Sequence, residues 1–181
     1  MGITTKSKVL TGMLTGLVVS ISTSAIFSQP SHAGNNSFFC GVLNRQPVTL
    51  ARTPRGNVPM VRWVSNNYFP PPWTAQRRCQ EVSKRFQRNY DNGTLKYINT
   101  GRMNGESVVC AAINKDDACT NRTLLFTLKR GSDADATLKR LMDRRGLANG
   151  YILSETGSGS IDVDRYLDEA PVEDNVSPIS P

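Results

Sequence analysis

"TAQRRCQEVSKRFQRNYDNG" spans residues 74–93. Its reading decides the fold. Thr74 is a favourable N-cap, and Asn92-Gly93 is a favourable stop. Between them Cys79, Val82, Phe86 and Tyr90 recur at helical spacing and form one apolar face. At about 100° per residue, Arg77, Lys84, Arg85 and Arg88 gather on the opposite face, with Glu81 among them. An amphipathic helix buries one face and solvates the other. Here the face to be buried carries a cysteine, which predicts a covalent tie from this helix to whatever it covers.

What it covers reads as strand. "SFFCGVL" (37–43), "PVTLART" (47–53) and "VPMVRWVS" (58–65) precede the helix and are rich in aromatic and branched residues. "TPRGNVP" reads as the turn before the third of them, and "NNYFPPPW" (66–73) is barred from regular structure by three consecutive prolines. After the helix, "TLKYINTG" (94–101) and "ESVVCAAI" (106–113) flank Asn104-Gly105, a hairpin signal. "RTLLFTLK" (122–129) is a further strand. A second helix follows, with Ser132 as its cap, Asp133 and Asp135 in the first turn, Leu138, Leu141 and Met142 on its apolar face, Arg140, Arg144 and Arg145 near its end and Gly146 as its stop. "SETGSGS" (154–160) reads as a long turn, and "IDVDRYLDEA" (161–170) as a short strand running into a helical turn. Strands grouped around two main helices predict an α+β fold with a mostly antiparallel sheet of about five or six strands. The polar, proline-rich end, residues 171–181, predicts disorder.

The N-terminal part has another character. Lys6 and Lys8 are its only charges, Val9 to Phe27 is uncharged, and Gln29-Pro30 is followed by Ser31-His32-Ala33. A basic start, an apolar run and a small-x-small site are the layout of a secretory signal peptide. A retained membrane span is disfavoured by the Ser, Thr and Gly that dilute the run. Residues 1–33 are therefore expected to be a leader cut after Ala33, and residues 34–170 one domain. His32 is the only histidine of the 181-residue chain, and it leaves with the leader.

The four cysteines, Cys40, Cys79, Cys110 and Cys119, all lie beyond that cut. An even number in an exported chain predicts two disulfides, for which three pairings exist. Cys110 and Cys119 flank a polar turn, so they are expected to join locally, leaving Cys40 to join Cys79 and tie the first strand to the first helix. No C-x-x-C spacing and no retained histidine support a zinc site; no metal and no cofactor is expected. The charge is uneven. Residues 34–154 carry nineteen basic and eight acidic residues, whereas residues 155–181 carry only Arg165 against seven acids. The two parts are complementary to each other, and the basic part also suits an anionic partner.

Loss of histidine removes Ser-His and Cys-His catalysis, and oxidised cysteines supply no thiolate. The remaining candidates are carboxylates: Asp116-Asp117, ordinary in a turn, and Asp162, Asp164, Asp168 and Glu169, which lack the full calcium-loop pattern. "GRMNG" (101–105) is no phosphate loop, because it lies on a hairpin. N-x-[ST] triplets at Asn35, Asn92, Asn121 and Asn175 carry no weight alone. Aromatics beside arginines are more informative. Trp63, Tyr68, Phe69 and Trp73 bracket the proline loop near Arg62, Arg77 and Arg78, a composition that suits a binding surface as well as a packed core. The binding candidates are thus Arg62, Trp63, Trp73, Arg77, Lys84, Arg85 and Arg88.

The ordered pieces "FFC", "VRWVS", "RRCQEVSKRFQ", "NGTLKYINTGRMNG", "VVC", "LLFTL" and "DVDRYLDEAP", with the four cysteines in place, resemble the circadian-oscillating polypeptide family of cyanobacteria over Phe38 to Pro171. The resemblance implies an exported domain with no established biochemical role and brings no catalytic residues with it. The expected function is a non-catalytic, disulfide-stabilised domain in the periplasm, a thylakoid lumen or the medium. It would bind a protein partner or an anionic membrane or polysaccharide surface; nucleic acid is disfavoured by the compartment. The rivals are a small histidine-free hydrolase using Asp162, Asp164 and Asp168, and a structural component of the cell envelope.

Overall fold

The computed structural model describes residues 1–2, 36–64, 69–141, 151–153 and 159–179. The chain divides into two compact units, Met1–Ser31 and His32–Pro181, and the fold below is that of the second. All but the first two residues of the expected leader, with its cut after Ala33, lie outside the described residues, as do Tyr68 and the helix end expected at Gly146.

Two antiparallel sheets form the frame. The first has the order β3-β2-β1-β9, built from β1 (Ser37–Leu43), β2 (Gln46–Thr53), β3 (Gly56–Arg62) and the two-residue β9 (Ser177–Pro178). The second has the order β6-β5-β4-β8-β7, from β4 (Tyr97–Met103), β5 (Glu106–Ala112), β6 (Leu124–Thr127), β7 (Tyr151–Leu153) and β8 (Gly159–Asp162). The helices are α1 (Ala75–Asp91), α2 (Ala134–Leu141) and α3 (Val163–Glu169). The class is α+β, with the strands divided between two sheets.

The turns follow from their residues. Asn104 and Gly105 join β4 to β5 with φ of 51° and 78°, the left-handed pair an Asn-Gly hairpin requires. Asn44 and Arg45 join β1 to β2 with φ of 51° and 63°, so here an arginine occupies a position that favours glycine or asparagine.

Helix α1 begins and ends where its sequence predicts. The Thr74 side chain accepts from Arg77 N, and the Asn92 N–H donates to Arg88 O at 3.2 Å. Its inward residues Cys79, Val82 and Phe86 meet the inner face of the first sheet, where Phe86 stacks on Phe38 at 5.5 Å. Burying a side chain such as Phe86 contributes about 1.5–3 kcal/mol. Cys40 and Cys79 are joined, and so are Cys110 and Cys119. The same core takes in Ile98, Val109 and Leu125 of the second sheet, Leu138 of α2, and Val163, Tyr166 and Leu167 of α3. Tyr166, fully buried, donates its hydroxyl to Pro59 O at 2.6 Å.

Two expectations change. The cap of α2 is Asp133, whose side chain accepts from Ala136 N at 2.9 Å; Ser132 lies one residue too early. The C-terminal segment expected to be disordered is ordered through Ile179. Glu173 N donates to Asn57 O at 2.8 Å, β9 pairs with β1, and Ile179 N donates to Cys40 O at 3.0 Å. Its polar composition concealed Val172, Val176 and Ile179, which rest on the folded domain. The complementary charges of the two parts also meet, in the ion pairs Arg62–Glu173 at 3.6 Å and Lys96–Asp164 at 3.8 Å.

Candidate functional site: an arginine–aromatic cleft

Trp63 leaves β3 directly into the core. It is 4% exposed, lies edge-on to Phe126 at 5.3 Å, and donates Nε1 to Thr49 Oγ1 at 3.1 Å. The Ser83 hydroxyl donates to the same oxygen at 3.1 Å, so β2, α1 and the tryptophan share one buried polar junction. The proline stretch then turns back. Trp73 N donates to Pro70 O at 3.2 Å and Thr74 N to Pro72 O at 2.9 Å, which sets Trp73 just before α1 and leaves it 39% exposed.

A cleft of about 210 Å³ opens between these parts. Its apolar walls are Trp63, Phe69, Trp73, Val82 and Phe126, and its polar groups include Arg78, Glu81 and Arg85. Residues 78, 81, 82 and 85 stand three and four apart, so one face of α1 supplies one side of the cleft. The Arg78 guanidinium lies between two rings, 5.1 Å from the Trp63 centroid and 5.5 Å from that of Phe69. Arg77 lies over the Trp73 ring at 5.6 Å. Arg85 donates Nη1 to Leu125 O at 3.0 Å, one of the five donors a guanidinium carries. Glu81 pairs with Lys84 at 3.6 Å. A guanidinium held over a ring gains cation–π energy and presents its edge to an acceptor.

The sequence-predicted residues therefore separate. Trp63, Trp73 and Arg85 line the cleft, and Arg77 joins it through Trp73. Arg85 is turned toward β6; it does not share the solvated face with Lys84 and Arg88. Those two line a shallow surface beside Phe38 and Asp91 instead. Arg62 pairs with Glu173. Phe126, Val82 and Thr127 are not among the binding candidates read from the sequence, where Val82 is only part of a helix's apolar face; places on a core strand and a buried helix face carry no local sign of a cleft.

Of the candidate carboxylates, Asp117, Asp162, Asp164 and Glu169 are engaged structurally. Asp162 caps α3, accepting from Arg165 N at 3.1 Å, and Asp164 pairs with Lys96. Asp117 accepts from the N–H groups of Asn114 at 2.8 Å and Ile113 at 3.1 Å. Those bonds, the one from Asn114 N first, hold its carboxyl below the usual carboxylate value. Among the described residues no helix is long and apolar enough to cross a membrane.

The family model described as "Circadian oscillating protein COP23" matches residues 37–168. That range runs from β1 to within one residue of the end of α3 and includes the cleft and both disulfides. No curated protein and no solved structure matches the chain. Two disulfides in one small domain point to an oxidising environment. The chain belongs to the COP23 circadian oscillating protein family.

Proposed function

We propose that the chain is an exported, non-catalytic binding domain that recognises a partner through the cleft between α1, Trp73 and β6. The observation that carries this reading is the stacking of Arg77 on the part-exposed Trp73, and of Arg78 between Trp63 and Phe69, around an open cavity. Buried aromatic and arginine anchors dominate the energy of protein interfaces. The net positive charge of the cleft suits an acidic segment, and the leader-like residues 1–33 and the disulfides suit a site of action outside the cytoplasmic membrane. Two of the three candidate hydrolytic carboxylates are held structurally, Asp162 in a helix cap and Asp164 in an ion pair, which supports binding over hydrolysis.

The test is a crosslinked pull-down from native membranes with residues 34–181. A partner retained by the unaltered domain, and lost with the double substitution W73A/R77A, is expected. Equal capture by both proteins would remove the cleft from the interaction. Elution of that partner by salt is also expected, because exposed charge contacts are screened over about 8–10 Å at 0.1–0.15 M salt.

A further inference from the structure

The C-terminal segment crosses the outer side of the first sheet from one edge to the other. At the β3 edge, Glu173 bridges to Asn57, and Val172 lies against Gly56. Val176 then covers the small outer cluster of Leu43, Val48 and Leu50, beside Phe39. At the β1 edge, Ser177 and Pro178 pair antiparallel with Val42 and Gly41. Ile179 N donates to Cys40 O, and the Ile179 side chain packs against the main core on the other side of the sheet. Val176 and Ile179 thus grip the β1 edge from its two faces.

The seat is shaped for this segment. In an antiparallel strand, alternate residues direct their N–H and C=O groups to the same side. Along the outer edge of β1, Cys40 O is satisfied by Ile179, and the Phe38 N–H donates to the Gln87 side chain at 2.6 Å. A Cβ on Gly41 would stand 2.8 Å from the Leu50 side chain, 2.9 Å from the Val176 side chain and 3.2 Å from Ser177 O, so glycine permits both the packing of Leu50 and the close approach of the strap. The family match ends at residue 168, before the whole strap. The strand that closes this edge therefore comes from outside the matched domain.

We infer that the β1 edge is a strand-acceptor site. Its occupant is residues 172–179 of this chain, held in cis and exchangeable with the same segment of a second copy. Strand addition to a sheet edge obtains affinity from main-chain hydrogen bonds and specificity from alternate side chains, here Val176 outside and Ile179 inside. Two paired residues and a few flanking contacts make a local unit able to open without global unfolding. This inference stands apart from the cleft.

The full chain with a protease site placed between Ala170 and Pro171 provides the test. After cleavage, a labelled peptide of residues 171–181 is expected to exchange into the domain, while the uncut chain takes up far less. The same peptide carrying V176D and I179D is expected to bind at least about tenfold more weakly, since each change puts a charge in place of a half-buried apolar side chain that packs on the domain. No uptake after cleavage, or equal uptake of the two peptides, would overturn the inference. Hydrogen exchange on the unaltered chain gives a second reading that no insertion can disturb. The Ile179 amide is expected to exchange faster than the amides of the β1–β2 ladder, and equal protection would contradict a detachable strap.

Discussion

Trp63 and Trp73 are the only tryptophans of the chain, and they differ in kind. Trp63 belongs to the core and forms the inner wall of the cleft; Trp73 belongs to its rim. W63F removes the donor to Thr49, which also accepts from Ser83, and is expected to lower stability by about 2 kcal/mol, as expected for a broken buried hydrogen bond with some lost packing. W73A is expected to alter stability by no more than about 0.5 kcal/mol, the usual range for a surface position. Urea unfolding of the two variants measures both. Asp117 gives a prediction in pH. Its folded pKa is lowered, first by the Asn114 N–H. Its stabilising contribution is therefore full above the unfolded carboxylate value and lost as pH falls through the lower folded value. D117N is expected to be less stable than the unaltered protein at pH 7, with the difference shrinking toward pH 2. A difference independent of pH would sever the link to ionisation. Residue types disclosed the aromatic–arginine association in the sequence. They did not disclose that Arg85 reaches a strand carbonyl, because that depends on where β6 lies.

Helix α1 was legible at both ends because caps are local chemistry: Thr74 and Asn92-Gly93 act within one turn of themselves. The β4–β5 hairpin was legible for the same reason. Position by one residue was less secure, as the α2 cap shows, since Ser132 and Asp133 both suit the role and only the path out of β6 decides between them. The disulfide pairing followed from a short loop and its remainder. The two staples close loops with sequence separations of 39 and 9 residues. Under chain-entropy reasoning they stabilise by about 4 and about 3 kcal/mol respectively. Replacing Cys79 with Ala is expected to cost about 1 kcal/mol more than replacing Cys119 with Ala, read from denaturant midpoints. Equal losses would show that loop length is not the controlling term.

At the scale of the whole molecule, strand identity was readable for β1 to β6 and β8 but not for the short β7 and β9, and strand order was not readable. Those strands report their own alternation, but β8 lies beside β4 across an interval that includes three other strands and a helix, and no local pattern encodes that pairing. The strap was hidden differently. Acidic and proline-rich composition signals disorder on average, yet three apolar residues and one sheet edge suffice to seat it. For the full chain, N-terminal sequencing of the protein isolated from its native cells is expected to begin at Gly34; an intact residue 1–33 segment would contradict the leader reading. The cleft as a recognition site is tested most directly by a photo-crosslinking amino acid placed at position 73, with the exposed Arg102 position as control, irradiated in native membranes. One discrete adduct at position 73, absent at 102, is the expected result. No adduct at position 73, or the same adducts from both positions, would contradict it.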